Sequence, residues 1–206
     1  LPDLSSARPV VKLIFAILAL VFLSLMLARP QFGSKIEDVK RKGIEVIVAL
    51  DVSNSMLAED IQPSRLERAK QAVSRLVENL TDDKIGLIVF AGDAYIQIPV
   101  TADYVSAKMF LSTINPSAVP KQGTAIGSAI SLAMRSFSQG QDKSRAVIVI
   151  TDGENHEDDA VGAAKQADGK GISVNIIGIG DLNGSPIPVG NSNDYMKDNQ
   201  GNVVIT

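Results

Sequence analysis

Five residues stand out for the chemistry their types and spacing allow. Asp51-Val52-Ser53-Asn54-Ser55 is a D-x-S-x-S run, and Thr124 follows the pair Gln122–Gly123. Asp152 sits inside Thr151-Asp152-Gly153. Two carboxylates and three hydroxyls make an all-oxygen donor set, which suits Mg²⁺, Mn²⁺ or Ca²⁺ and argues against zinc or copper. Two carboxylates just neutralise a divalent cation, and hydroxyls add no further charge. A cation held this way keeps the capacity to accept a carboxylate from outside, so the set suits binding an acidic partner better than caging an ion.

The elements that must position these residues follow from periodicity. Ile44–Leu50 is an apolar run that ends at Asp51, and Lys84–Phe90, Tyr95–Val100, Arg145–Ile150 and Ile172–Ile179 read as further strands. Pro63–Leu80 carries Leu66, Ala69, Ala72, Val73, Leu76, Val77 and Leu80 at helical spacing, and 103–114, 124–137 and 158–168 read as helices. Apolar strands alternating with helices predict an α/β fold, a doubly wound, mostly parallel sheet covered on both faces. Ligands of such sheets gather at the carboxyl ends of the strands. Asp51 and Asp152 each follow a strand, so both are expected there. Residues 186–206 are turn-rich and are expected to form a tail or a hairpin on an edge.

Ahead of this domain, residues 10–28 (VVKLIFAILALVFLSLMLA) are apolar except for Lys12, with Pro9 and Pro30 on either side. At about 1.5 Å per residue the stretch matches the roughly 30 Å hydrocarbon core and predicts one transmembrane helix. No small-x-small cleavage site follows it, which weighs against a signal peptide. Residues 1–9 form a flanking segment, 29–43 a charged linker and 44–206 the α/β domain. The chain begins at Leu1, as expected of a fragment of a longer protein.

Composition narrows the function. Residues 1–42 carry seven basic and three acidic side chains, and 43–206 carry 13 basic and 20 acidic ones. A domain of net charge −7 makes a poor nucleic-acid binder, since phosphate neutralisation needs a basic face. The chain has no cysteine and one histidine, His156, so a thiol nucleophile and a His-rich metal site are excluded. There is no phosphate-binding G-x-x-x-x-G-K-[ST] loop, no G-x-G-x-x-G after the first strand and no G-x-S-x-G elbow. An aspartyl phosphatase built on Asp51 would need a second acid where Ser53 stands. No enzyme is therefore expected.

Other acidic groups read as less specific. Glu59 and Asp60 are expected to be solvated charges at a helix entry, and 153–159, with His156, to be a solvated acidic loop. Asp181–Gly184 and Asp198–Gly201 lack the spacing of a calcium loop and read as turns.

Asp51-x-Ser53-x-Ser55, Thr124 and Asp152 together resemble, in order and on the expected elements, the metal-ion-dependent adhesion site of von Willebrand factor type A domains. ALDVSNSMLAED, RLERAK, IGLIVFAGDAY and ITDGENH are similar, more narrowly, to the Bat (Bacteroides aerotolerance) membrane proteins. The resemblance implies Ser53, Ser55 and Thr124 as direct or near-direct ligands of Mg²⁺ (or Mn²⁺ or Ca²⁺), with Asp51 and Asp152 often acting through water. It implies a binding module anchored in the bacterial cytoplasmic membrane that takes an Asp or Glu from a protein partner. Other Bat-type membrane proteins and a MoxR-type AAA+ ATPase are the implied associates. It also implies an extracytoplasmic domain, whereas the basic residues Arg29, Lys35, Lys40, Arg41 and Lys42 after the helix would by themselves place the domain in the cytoplasm. A scaffold of a membrane complex with a vestigial metal site is the alternative from another class.

Overall fold

The computed structural model describes residues 4–27, 43–139, 143–154, 158–181, 183–189, 194–198 and 200–206. Two units are distinct, residues 1–40 and 41–206. In the first, α1 (Leu4–Leu27) is a single helix. Its stretch Arg8–Leu27 has a mean hydropathy of 2.8 and is long and apolar enough to cross a membrane. The helix starts before Pro9 rather than after it. Pro9 lies close enough to the amino end that only the Ser5 carbonyl loses a helical partner. Most of the linker expected over 29–43 lies outside the described residues.

The second unit is built on a five-stranded sheet. The strands are β1 (Glu45–Asp51), β2 (Lys84–Phe90), β3 (Ala94–Thr101), β4 (Arg145–Thr151) and β5 (Ile172–Gly178). They are ordered β3-β2-β1-β4-β5. All neighbours run parallel except β3, which turns back antiparallel on β2. The short Ala91–Asp93 connection requires this, because a parallel return needs a crossover of a dozen residues or more. The helices are α2 (Arg65–Asn79), α3 (Tyr104–Thr113), α4 (Ile126–Ser136) and α5 (Ala160–Asp168). The α/β architecture and the mostly parallel sheet thus match the reading from the sequence.

Residues of β1 alternate between two cores with the period of a strand. Val46, Val48 and Leu50 face a core shared with Leu66, Ala69 and Val73 of α2 and Leu111 of α3. Ile47 and Ala49 face one shared with Ile126, Ala129 and Ile130 of α4 and Ala163 of α5. All seven residues of β1 are buried, which explains why it reads as an unbroken apolar run. The same burial fixes Asp51 at its carboxyl end, beside the end of β4.

The tail forms no ladder with the sheet among the described residues. Its stretches 185–189, 194–198 and 202–206 pair with one another through Pro186 and Ile205, Pro188 and Tyr195, and Lys197 and Val203. This small ribbon lies at the carboxyl ends of the strands: the Thr206 hydroxyl donates to Glu154, just past β4, at 2.7 Å. The turn readings hold at both places. Asp181 accepts the Asn183 N–H and Asp198 accepts the N–H groups of Gln200 and Asn202.

Candidate metal centre

The loop after β1 brings three of the five sequence-predicted residues together. One Asp51 oxygen accepts the Ser53 N–H at 2.9 Å, and Asn54–Leu57 then winds into a short 3₁₀ turn. That turn brings the Ser53 and Ser55 hydroxyls within 2.9 Å of each other. The other Asp51 oxygen accepts the Thr151 hydroxyl at 2.6 Å, which ties the end of β1 to the end of β4 and so to Asp152. Thr124 arrives by a different route. The Ala125 N–H donates to the Ala91 carbonyl at the end of β2, and the Gln122 side chain accepts the Asn54 N–H at 3.1 Å. Thr124 precedes α4 by two residues instead of opening it.

Asp51, Ser53, Ser55 and Thr124 are all buried, and Asp51 is 0% exposed. Burial pushes the Asp51 carboxyl up to about 6, against the hydrogen bonds from Thr151 and Ser53 that pull it down. The nearby Asp152 charge adds to the rise. Asp51 is thus a carboxylate whose ionisation is costly unless a cation shares the site. Thr124 is itself 3% exposed. Two carboxylates and three hydroxyls, each with lone pairs to offer, fit a hard divalent cation. Among the described residues no group of three or more His, Cys, Asp or Glu side chains could hold a metal, so soft-metal and carboxylate-cage sites have no candidate there.

Two side chains that contact the candidate site escape a sequence reading. Thr151 orients Asp51, as above. Arg65, the first residue of α2, is 2% exposed and reaches Asp152 with Nη1 at 3.3 Å. The available signal is register: Arg65 precedes Ala69 and Val73 by four and eight residues and so belongs to the buried stripe of the helix.

One expectation is overturned and a second is qualified. Asp60 is not a solvated helix-entry charge, since its side chain is 6% exposed and holds Arg65 with both oxygens. Burial alone would raise its carboxyl, but the bonds from Arg65 and the Asp181 N–H outweigh that and lower it below the ordinary value. Nor is the acidic run simply a solvated loop. Asp158 accepts the Gly127 and Ser128 N–H groups at 2.8 and 2.6 Å, and Asp159 accepts the Gly162 N–H at the start of α5. Helix amino ends attract carboxylates, and α4 has no cap of its own. His156 lies outside the described residues.

A mostly parallel sheet with one antiparallel edge and hydroxyl-rich loops at its carboxyl end is the frame of a von Willebrand factor type A domain. Residues 46–154 match the family model described as von Willebrand factor type A domain, and the chain belongs to that family. The similarity narrows further among solved structures. A conserved hypothetical protein BatB from Bacteroides thetaiotaomicron is 62% identical, with a TM-score of 0.78, over 80% of each chain. An aerotolerance-related membrane protein from Bacteroides fragilis is 58% identical, with the same TM-score, over 80% of this chain and 81% of that one. A UPF0353 protein of Mycolicibacterium paratuberculosis is 29% identical over 88% of this chain and 59% of its own length. The chain spans about half to three fifths of the curated relatives it matches.

Proposed function

We propose that this A domain is a membrane-anchored protein-binding module that uses a divalent cation, Mg²⁺ or else Mn²⁺ or Ca²⁺, to take an acidic side chain from a partner. Asp51, Ser53, Ser55, Thr124 and Asp152 would hold the cation. The observation that carries the reading is a fully buried Asp51 carboxylate gathered with the Ser53 and Ser55 hydroxyls at the carboxyl end of the central strand. When bound, the cation supplies a positive centre with room for one more oxygen ligand. The chain's own residues do the rest: Thr151 and the Ser53 N–H fix the orientation of Asp51, and the Asn54–Gln122 bond holds the Thr124 loop against the serines.

The similarity to Bat-type membrane proteins and the apolar α1 support a place in a membrane; this reading puts the chain in the bacterial cytoplasmic membrane with the domain on its outer side. Other Bat-type membrane proteins and a MoxR-type AAA+ ATPase are the associates this reading proposes. The test is thermal unfolding of the full chain in detergent, first with EDTA and then with each of the three ions. A ligand that binds only the folded state stabilises it by RT ln(1 + [L]/Kd). A rise in Tm with millimolar ion that disappears in Asp51→Ala supports the reading. No rise with any of the three ions refutes it.

A further inference from the structure

Arg65 is a buried positive charge beside a site proposed to take a cation, and it opens a helix, where the backbone dipole also disfavours a cation. Both placements are costly unless the charge is compensated. Compensation comes from a ring of contacts. Asp60 takes Nε at 2.9 Å and Nη2 at 3.0 Å, Asp152 takes Nη1 at 3.3 Å, and the Thr206 backbone carbonyl takes Nη2 at 3.0 Å. The backbone of Gly180 lies so close that a Cβ there would come 3.2 Å from the guanidinium carbon. The ring closes through the ribbon, because Thr206 donates its hydroxyl to Glu154, whose N–H points at the free oxygen of Asp152 at 3.4 Å. Asp60 anchors the far side by accepting the Asp181 N–H at 2.6 Å.

We infer that Arg65 is a positioning residue that serves as the resident counter-cation of Asp152, so that divalent-cation binding and the seating of the ribbon of residues 185–206 are coupled through it. The inference rests on the metal reading above for its first half. Arg65 and an incoming cation compete for one carboxylate, and like charges in a poorly solvated site repel. Asp60 offsets Arg65, so the two side chains act on cation affinity with opposite signs. Because the guanidinium also holds the Thr206 carbonyl, a weaker hold on Asp152 loosens the ribbon. Linkage makes the effect reciprocal: whatever seats the ribbon more firmly weakens cation binding by the same factor.

The test uses the full chain in detergent, with Mn²⁺ titrated by calorimetry and amide hydrogen exchange read in the ribbon. Arg65→Gln keeps a donor but drops the charge, and should tighten Mn²⁺ binding on the order of tenfold. Asp60→Asn should weaken it by a similar factor. Misfolding would weaken both, so opposite signs are the diagnostic result; two unchanged or two weakened affinities overturn the inference. The second arm needs no metal. In EDTA, Asp152→Asn should speed exchange several-fold at the Val204 and Thr206 amides, which bond the Met196 and Ser185 carbonyls. Unchanged exchange there overturns the coupling. A wild-type chain that takes up no Mn²⁺ while Asp152→Asn still loosens the ribbon would refute the competition and the metal reading together, leaving the Arg65 ring as a fastening only.

Discussion

Asp51→Asn should make the metal-free protein more stable at neutral pH, although it removes a residue proposed to hold the cation. Asp51 is fully buried, and its carboxyl is raised from 3.8 to about 6. A raised carboxyl favours the protonated form in the folded state. Its contribution is therefore intact below the unfolded value of 3.8, is lost as pH climbs from there to about 6, and stays lost above that. That rise corresponds to on the order of 3 kcal/mol, against a total stability of roughly 5–15 kcal/mol for a domain. Asparagine avoids that charge but places an N–H₂ where Asp51 accepts the Thr151 hydroxyl, so about 1 kcal/mol is given back when that bond reverses. The net expectation in EDTA is a gain of about 2 kcal/mol near neutral pH. That gain becomes a loss of about 1 kcal/mol near pH 4. Urea unfolding followed by circular dichroism at several pH values, on wild type and variant side by side, reads this difference while cancelling the titration of every other carboxylate. Millimolar Mg²⁺ should reverse the order at neutral pH by stabilising the wild type alone. A variant less stable in EDTA at every pH, with a difference that does not move with pH, would refute the claim that Asp51 carries an uncompensated buried charge.

Other predictions follow from single contacts. Thr151→Val removes the hydroxyl that orients Asp51 and should lower Mn²⁺ affinity by about 10- to 100-fold in a calorimetric titration. Asp158→Ala leaves the amino end of α4 uncapped and should cost about 1–2 kcal/mol in urea unfolding. Gly180→Ala puts a methyl group against the Arg65 guanidinium at a residue with φ of +153°, and should cost about 1–3 kcal/mol in the same assay.

Much of the architecture is legible along the chain because its signals are short-range. The apolar run of β1, the stripe of α2 and the turn at Ala91–Asp93 each depend on neighbours within a few residues, and each element lies within about two residues of its expected span. The carboxyl-end placement of Asp51 and Asp152 follows from the same patterns, since a residue after a buried strand in a parallel sheet has one end to go to. Thr151 also alternates along β4, but nothing local tells that its hydroxyl meets Asp51, 100 positions earlier in the chain.

The tertiary structure alone decides which charges are buried and with what. By sequence Asp60 is an acid at a helix entry and Asp158 one of several in an acidic run. The fold places the first against Arg65 and Asp181 and the second over the amino end of α4. Arg65 and Asp152 meet across 87 residues, and the ribbon closes their ring from the far end of the chain. Local pattern specifies how a segment folds and which face it buries. The partner of a buried charge is set by sheet order and loop course, which emerge only when the elements pack; the sequence determined the donors at the strand ends, and packing determined the cation that already stands beside them.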